Sequence, residues 1–240
     1  MDKSIFDSEI NNQARILGEV LNVEQCEKFY KYMKLLLEWN QKINLTAITD
    51  EKEIITKHFI DSITISKYIN DKDSVVDIGT GAGFPGIPLK IVKEELKVTL
   101  VDSLNKRIKF LDDAIEKIEL KNIETIHARA EEFGQSKKHR EHYDLAISRA
   151  VARLNILIEY LLPTVKVGGK CICMKGPDAR EEIEGAKKAI ELLGGQICNI
   201  EEFNLPGTDI KRTIVAINKI KSTPNKYPRK PGTPAKEPIV

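Results

Sequence analysis

The chain has 240 residues, 41% hydrophobic and 31% charged, with a formal net charge of +2; this suits one large α/β domain with an appendage and excludes a disordered or fibrous chain. No run of about 18 uncharged apolar residues occurs, and the polar opening MDKSIFDSEINNQ lacks the apolar core of a secretory leader, so no membrane association and a cytoplasmic location are expected. Charge is unevenly spread: residues 1–74 carry −3, residues 75–218 balance, and residues 219–240 hold six Lys/Arg against one Asp/Glu, a basic tail that suits a polyanionic partner.

Residues 24 to about 45 place Phe29, Met33, Leu36, Leu37 and Ile43 near helical spacing. Thr49 or Asp50, followed by Glu53, starts a second helix that carries His58 and Asp61 at i,i+3. Such a pair reads as surface pairing or helix packing more readily than as catalytic or metal-binding. A helical segment over residues 1–70 follows. Five apolar runs, SVVDI, KVTLVD, NIETIHA, YDLAIS and GKCICMK, then alternate with helical patterns over 86–94, 104–118, 130–139, 153–162 and 178–193. Alternation of this kind gives a parallel sheet with right-handed crossovers. QICNIEEFNL and TIVAINKI, joined by Pro206-Gly207-Thr208-Asp209, form an antiparallel pair, so residues 71–220 make one mostly parallel, seven-stranded α/β domain. Cys171 and Cys173 fall on one face of a strand, and with Cys26 and Cys198 they read as reduced thiols and not as a metal site. Prolines 224, 228, 231, 234 and 238 make residues 221–240 an extended, partly stiff tail.

The run VVDIGTGAGFPG, residues 75–86, carries most of the chemistry. Gly79, Gly81, Gly83 and Gly86 follow a β-branched strand, so a ligand can lie against bare backbone beside the next helix. Gly81, Gly83 and Gly86 satisfy a dinucleotide spacing, and Asp102 lies 19 residues after Gly83, where a carboxylate can hold ribose hydroxyls. Asp77, two residues before the first glycine, tips the balance. A carboxylate at the strand's end repels a pyrophosphate and attracts an amine, so S-adenosylmethionine, with its α-amino group and sulfonium, fits better than NAD.

Together with Asp102-Ser103, Ser148-Arg149-Ala150-Val151 and Lys175-Gly176, this loop resembles the GidB/RsmG family, bacterial methyltransferases that modify guanine N7 in 16S ribosomal RNA. The likeness runs almost end to end. It includes Glu38-Trp39-Asn40-Gln41-Lys42-Ile43-Asn44-Leu45-Thr46 and His58-Phe59-Ile60-Asp61-Ser62 before the loop, and Arg212 and Tyr227-Pro228-Arg229-Lys230-Pro231-Gly232 after it. The resemblance implies a Rossmann-like class I methyltransferase fold and an S-adenosylmethionine cofactor. It implies that Gly79 and Phe84 line the cofactor cleft, that Ala130 and Glu131 lie by the adenosine, and that Arg149 reaches cofactor or base.

Plainer roles stay open for three of these residues. Glu131 also suits the first turn of a helix, Arg149 can pair with Asp144 or another carboxylate, and Phe84 can be core packing. The expected partner is 16S rRNA or the small ribosomal subunit, with no obligate protein partner, and phosphate contacts are expected from Lys175, Arg212, Lys226, Arg229 and Lys230. No catalytic base is expected, because guanine N7 carries no proton. The alternatives are an NAD(P)-dependent oxidoreductase and a non-catalytic RNA-binding module.

Overall fold

The computed structural model describes residues 1–149, 151–177 and 179–240. Seven strands form one sheet in the order β3-β2-β1-β4-β5-β7-β6: β1 Ser74–Ile78, β2 Lys97–Asp102, β3 Ile123–His127, β4 Tyr143–Arg149, β5 Val165–Lys175, β6 Gly195–Asn204 and β7 Lys211–Lys219. β1 pairs in parallel with β2 and β4, β2 with β3, and β4 with β5, whereas β7 runs antiparallel to both β5 and β6. The last strand in sequence is therefore inserted between β5 and β6 and does not form the sheet's edge. Strand order reverses between β1 and β4, and at such a switch point the crossovers leave to opposite sides and open a crevice at the strands' carboxyl ends.

Side chains alternate across the sheet and divide the core in two. Val75, Leu145, Ile147, Ile172 and Met174 face one cluster, shared with α1 (Lys3–Ile16), α2 (Val23–Asn40), α5 (Gly86–Val92) and α6 (Asn105–Lys117). Val76, Ala146, Cys171, Cys173 and Val215 face the other, covered by α8 (Leu154–Leu161) and α9 (Arg180–Leu192). Cys171 and Cys173 are buried free thiols on this second face, and Cys198 on β6 is an exposed one. The N-terminal helices thus share the core of the sheet's first face.

Two features of the N-terminal segment lie outside the sequence expectations. Helix α1 buries Phe6, Ile10 and Ala14, an i, i+4, i+8 stripe on a largely polar helix. The second predicted helix does start at Asp50, whose carboxylate accepts from Glu53 N at 2.9 Å. It runs as α3 (Glu51–Ile54), then a π-helical stretch over Ile55–Ile60, then α4 (Asp61–Ile63). Widening a helix this way shifts the side chains that follow it, and such insertions concentrate at functional sites.

The tail also departs from expectation. It is folded back onto the body: Tyr227 and Pro228 are buried, and Thr233–Lys236 forms a short helix, α10. Arg140 donates to Tyr227 O at 2.6 Å and Thr223 O at 2.7 Å, and Gln135 Nε2 donates to Pro228 O at 2.7 Å. Prolines limit the conformations the chain can adopt, and here they shape a docked segment. Among the described residues, no helix is long and apolar enough to cross a membrane, and no group of three or more His, Cys, Asp or Glu converges as metal ligands would.

Candidate cofactor cleft and substrate mouth

A cleft of about 630 Å³ opens at the switch point, walled by the β1 loop, the ends of β2 and β4, and the start of α7 (Ala130–Gln135). A larger groove, about 800 Å³, lies beside the segments entering β2 and β3, with acidic and lysine side chains both in its lining. Only the first sits at the carboxyl ends of the strands, where open α/β sheets bind ligands.

The loop turns its backbone donors inward. Gly79 N and Thr80 N donate to Val101 O at 2.8 and 3.1 Å, Gly83 N and Phe84 N donate to Thr80 O, and Gly81 N donates to Asp102 Oδ2 at 3.0 Å. Gly86 N, opening α5, donates to Asp77 Oδ2 at 2.9 Å. A pyrophosphate needs such donors free, so this bend is built for a ligand that does not demand them. At Gly83, φ is 92° and a Cβ would lie 2.7 Å from the Tyr32 hydroxyl, which itself donates to Ala82 O. At Gly81, φ is 63° and a Cβ would meet nothing within 4 Å, so the open volume of the cleft begins at bare backbone.

The sequence expects Asp77 in the cleft against an amine. Instead it lies fully buried beneath the loop, with Oδ2 accepting from Thr80 Oγ1 at 2.7 Å and from Gly86 N, and Oδ1 without a partner. Burial pushes its carboxyl up to about 7. Asp102 does line the cleft; it also accepts from Leu104 N at 2.9 Å and from Arg107 Nη1 at 3.2 Å. Ser103, Ala130, Glu131 and Arg149 line it as well. Glu131 Oε1 accepts from Gly232 N of the tail at 2.8 Å, so its place in the first turn of α7 is more than a helix-dipole preference.

Arg149 pairs with Asp61 and not with Asp144. Its guanidinium lies 5.0 Å over the Phe84 ring, and it donates to Lys57 O at 3.0 Å, Asp61 Oδ2 at 3.1 Å and His58 Nδ1 at 3.2 Å. His58 stacks on Phe84 at 4.4 Å between centroids, and burial first, then the Arg149 charge, lowers it to about 3. It is neutral near pH 7. Since arginine only donates, Nδ1 accepts and Nε2–H points to Thr46 Oγ1 at 2.8 Å. Asp61, 2% exposed, also accepts from Arg212 Nε at 3.0 Å and Nη2 at 3.2 Å, so one carboxylate holds two arginines. Phe84 packs in the core and lines the cleft at once.

Of the expected phosphate ligands, Lys175 and Arg212 line a further hollow, about 390 Å³, which shares His58 and Arg149 with the switch-point cleft. Lys175 Nζ donates to Ala152 O at 2.8 Å and pairs with Glu182 at 2.6 Å. Lys226 and Lys230 are exposed on the tail, but Arg229 is not a free cation: its backbone N and its side chain both donate to Glu159, which is fully buried. The expected ligands are therefore split between two places. Sequence reasoning discounts His58 and Asp61 because an i,i+3 pair on a helix ordinarily means surface pairing or packing, and their shared partner Arg149 lies about ninety positions away in the chain; the family resemblance of the His58–Ser62 segment was the available signal.

The chain matches the GidB model, rRNA small subunit methyltransferase G, over residues 25–214. A ribosomal RNA small subunit methyltransferase G from Acetivibrio thermocellus is 58% identical over 224 residues, covering 93% of this chain and 92% of that protein. One from Alkaliphilus metalliredigens is 52% identical over 225 residues, covering 93% and 94%. Among solved structures, M. jannaschii TYW2 in complex with AdoMet shares the fold, with a TM-score of 0.54 at 16% identity, over 72% of this chain and 80% of that one. A glycine loop with most of its amides turned inward, in a chain so close to these relatives over nearly its full length, places the protein in the GidB family of S-adenosylmethionine-dependent rRNA small subunit methyltransferases.

Proposed function

We propose that the cleft binds S-adenosylmethionine and delivers its methyl group to N7 of a guanine in 16S rRNA, in the cytoplasm, on the small ribosomal subunit or its RNA. The observation that carries this reading is the bend itself, with most of its amides turned inward and the carboxylates of Asp102 and Glu131 lining the cleft at the switch point. Asp102 would hold the ribose hydroxyls, the backbone of Gly79 beside Val151, bare backbone at Gly81 and the side chains of Ser103, Ala130 and Glu131 would flank the nucleoside, and Asp77 would attract the amino group through the loop from beneath. When bound, the cofactor supplies an electrophilic methyl on a cationic sulfur.

The protein's residues then have a short task. Guanine N7 offers a lone pair and no proton, so attack on the methyl carbon with loss of the C–S bond needs no base. Alignment and exclusion of water are the available means, and orientation alone can supply roughly 7–11 kcal/mol. Phe84 and neutral His58 offer a flat apolar surface at the mouth. His58 is uncharged, and Asp61 offsets one of the two guanidinium charges it receives, from Arg149 and Arg212. In A-form RNA the major groove is too deep and narrow for side chains, so the target guanine must lie in a loop or be swung out. A neighbouring phosphate would lie at the hollow lined by Lys175, paired with Glu182, and Arg212, paired with Asp61.

Incubation with S-adenosylmethionine labelled in the methyl group tests this, using small subunits and free RNA from cells lacking the protein. Label in either RNA is expected; label in neither contradicts the reading.

A further inference from the structure

The tail, expected to be an RNA-binding arm, is built into the cofactor cleft. Gly232 and Ala235 line that cleft. Gly232 sits at φ 82°, in the left-handed region, and its N–H is the donor that meets Glu131 Oε1 at 2.8 Å. Just before it, the Arg229 side chain grips Glu159 of α8 through Nε at 2.9 Å and Nη2 at 2.6 Å, while Arg229 N donates to the same carboxylate at 2.8 Å. Glu159 is fully buried, and Tyr160, the next residue on α8, lines the cleft. A buried carboxylate that receives three donors from one residue fixes that residue's position and offsets its charge.

We propose that residues 226–236 act as a strap whose docking completes the cofactor cleft, with Arg229 as a positioning residue that sets Glu131 through Gly232, and not as an RNA ligand. This rests on the reading of the cleft as the S-adenosylmethionine site. Strap docking and cofactor binding are then coupled: whatever factor the docked strap adds to cofactor affinity, bound cofactor adds to the strap's closure.

Two measurements decide it. In calorimetric titration, Arg229→Ala is expected to weaken S-adenosylmethionine binding by roughly tenfold, while the salt dependence of RNA binding stays as in the parent. Lys226→Ala/Lys230→Ala should leave cofactor affinity unchanged. Should Arg229→Ala prove unfolded by circular dichroism, amide hydrogen exchange on the unaltered protein gives the answer, since saturating S-adenosylhomocysteine should slow exchange across residues 226–236. Cofactor affinity unchanged in folded Arg229→Ala, or strap exchange indifferent to bound S-adenosylhomocysteine, overturns the proposal and leaves the cofactor site standing. Failure of the parent protein to bind either molecule would instead overturn the reading on which it rests.

Discussion

Asp77 is a buried carboxylate with one oxygen fully used and the other unpartnered, and that asymmetry makes it the most informative single residue. Its folded-state value of about 7 lies above the ordinary 3.8. Between about pH 4 and pH 7 the folded protein therefore holds a proton that the unfolded chain has released, and stability falls as pH rises through that window. Asp77→Asn keeps the shape and the acceptor but removes the titration. Urea unfolding from pH 4.5 to 7.5 should show a declining parent-minus-variant difference, at up to about 1.4 kcal/mol per pH unit; a flat difference would mean that Asp77 ionises normally. An ammonium held above the loop favours the ionised form, so S-adenosylmethionine affinity should rise over the same window in the parent and stay level in the variant. The position of Asp77 in the motif was legible because strand-end acids stand out. Its burial beneath the loop was not, since it depends on Gly86 and Thr80 turning back onto the same oxygen.

At the scale of elements, the 51–63 helical run does what no single strand does: it carries His58 and Asp61 to the mouth of the cleft, where they order Arg149 and Arg212. Asp61→Asn leaves the shape intact and removes the charge that two guanidiniums share. Losing a charge-assisted bond of roughly 1.5–3 kcal/mol should lower methyl transfer about tenfold or more, whereas cofactor affinity, in the proposed site a matter mainly of Asp102 and the loop, should change little. An equal loss of both would show that Asp61 supports the cleft generally. Within the loop, Gly83→Ala meets Tyr32 and Ile87 and adds left-handed strain, so a loss of about 1–3 kcal/mol in stability is expected from thermal unfolding. Gly81→Ala bears the strain without a collision and should lose less. The strands were legible because apolar runs of five to seven residues between helical patterns have few other readings. The π-helical stretch was not, because an inserted residue leaves helical periodicity nearly intact over so short a span.

For the whole molecule, alternation of strands and helices predicted the sheet and the crevice, while the ends of the chain were harder to read. The Pro-rich basic tail fits an extended arm and a docked strap equally well in composition; what separates them is a buried Glu159 on α8 and a backbone amide at Gly232, neither of which announces a partner in sequence. RNA affinity measured against salt distinguishes the tail's cations: Lys226→Ala/Lys230→Ala should flatten the log–log slope by about 0.7–0.9 for each phosphate that these lysines neutralise. An unchanged slope would take the tail out of RNA binding altogether and leave Lys175 and Arg212 to carry it. The account as a whole stands on one reaction at one atom. Mass mapping of 16S rRNA after incubation with the protein and deuteromethyl S-adenosylmethionine tests it most directly. The label is expected on N7 of a single guanine, and its appearance on another base or another atom, or nowhere, would contradict the account.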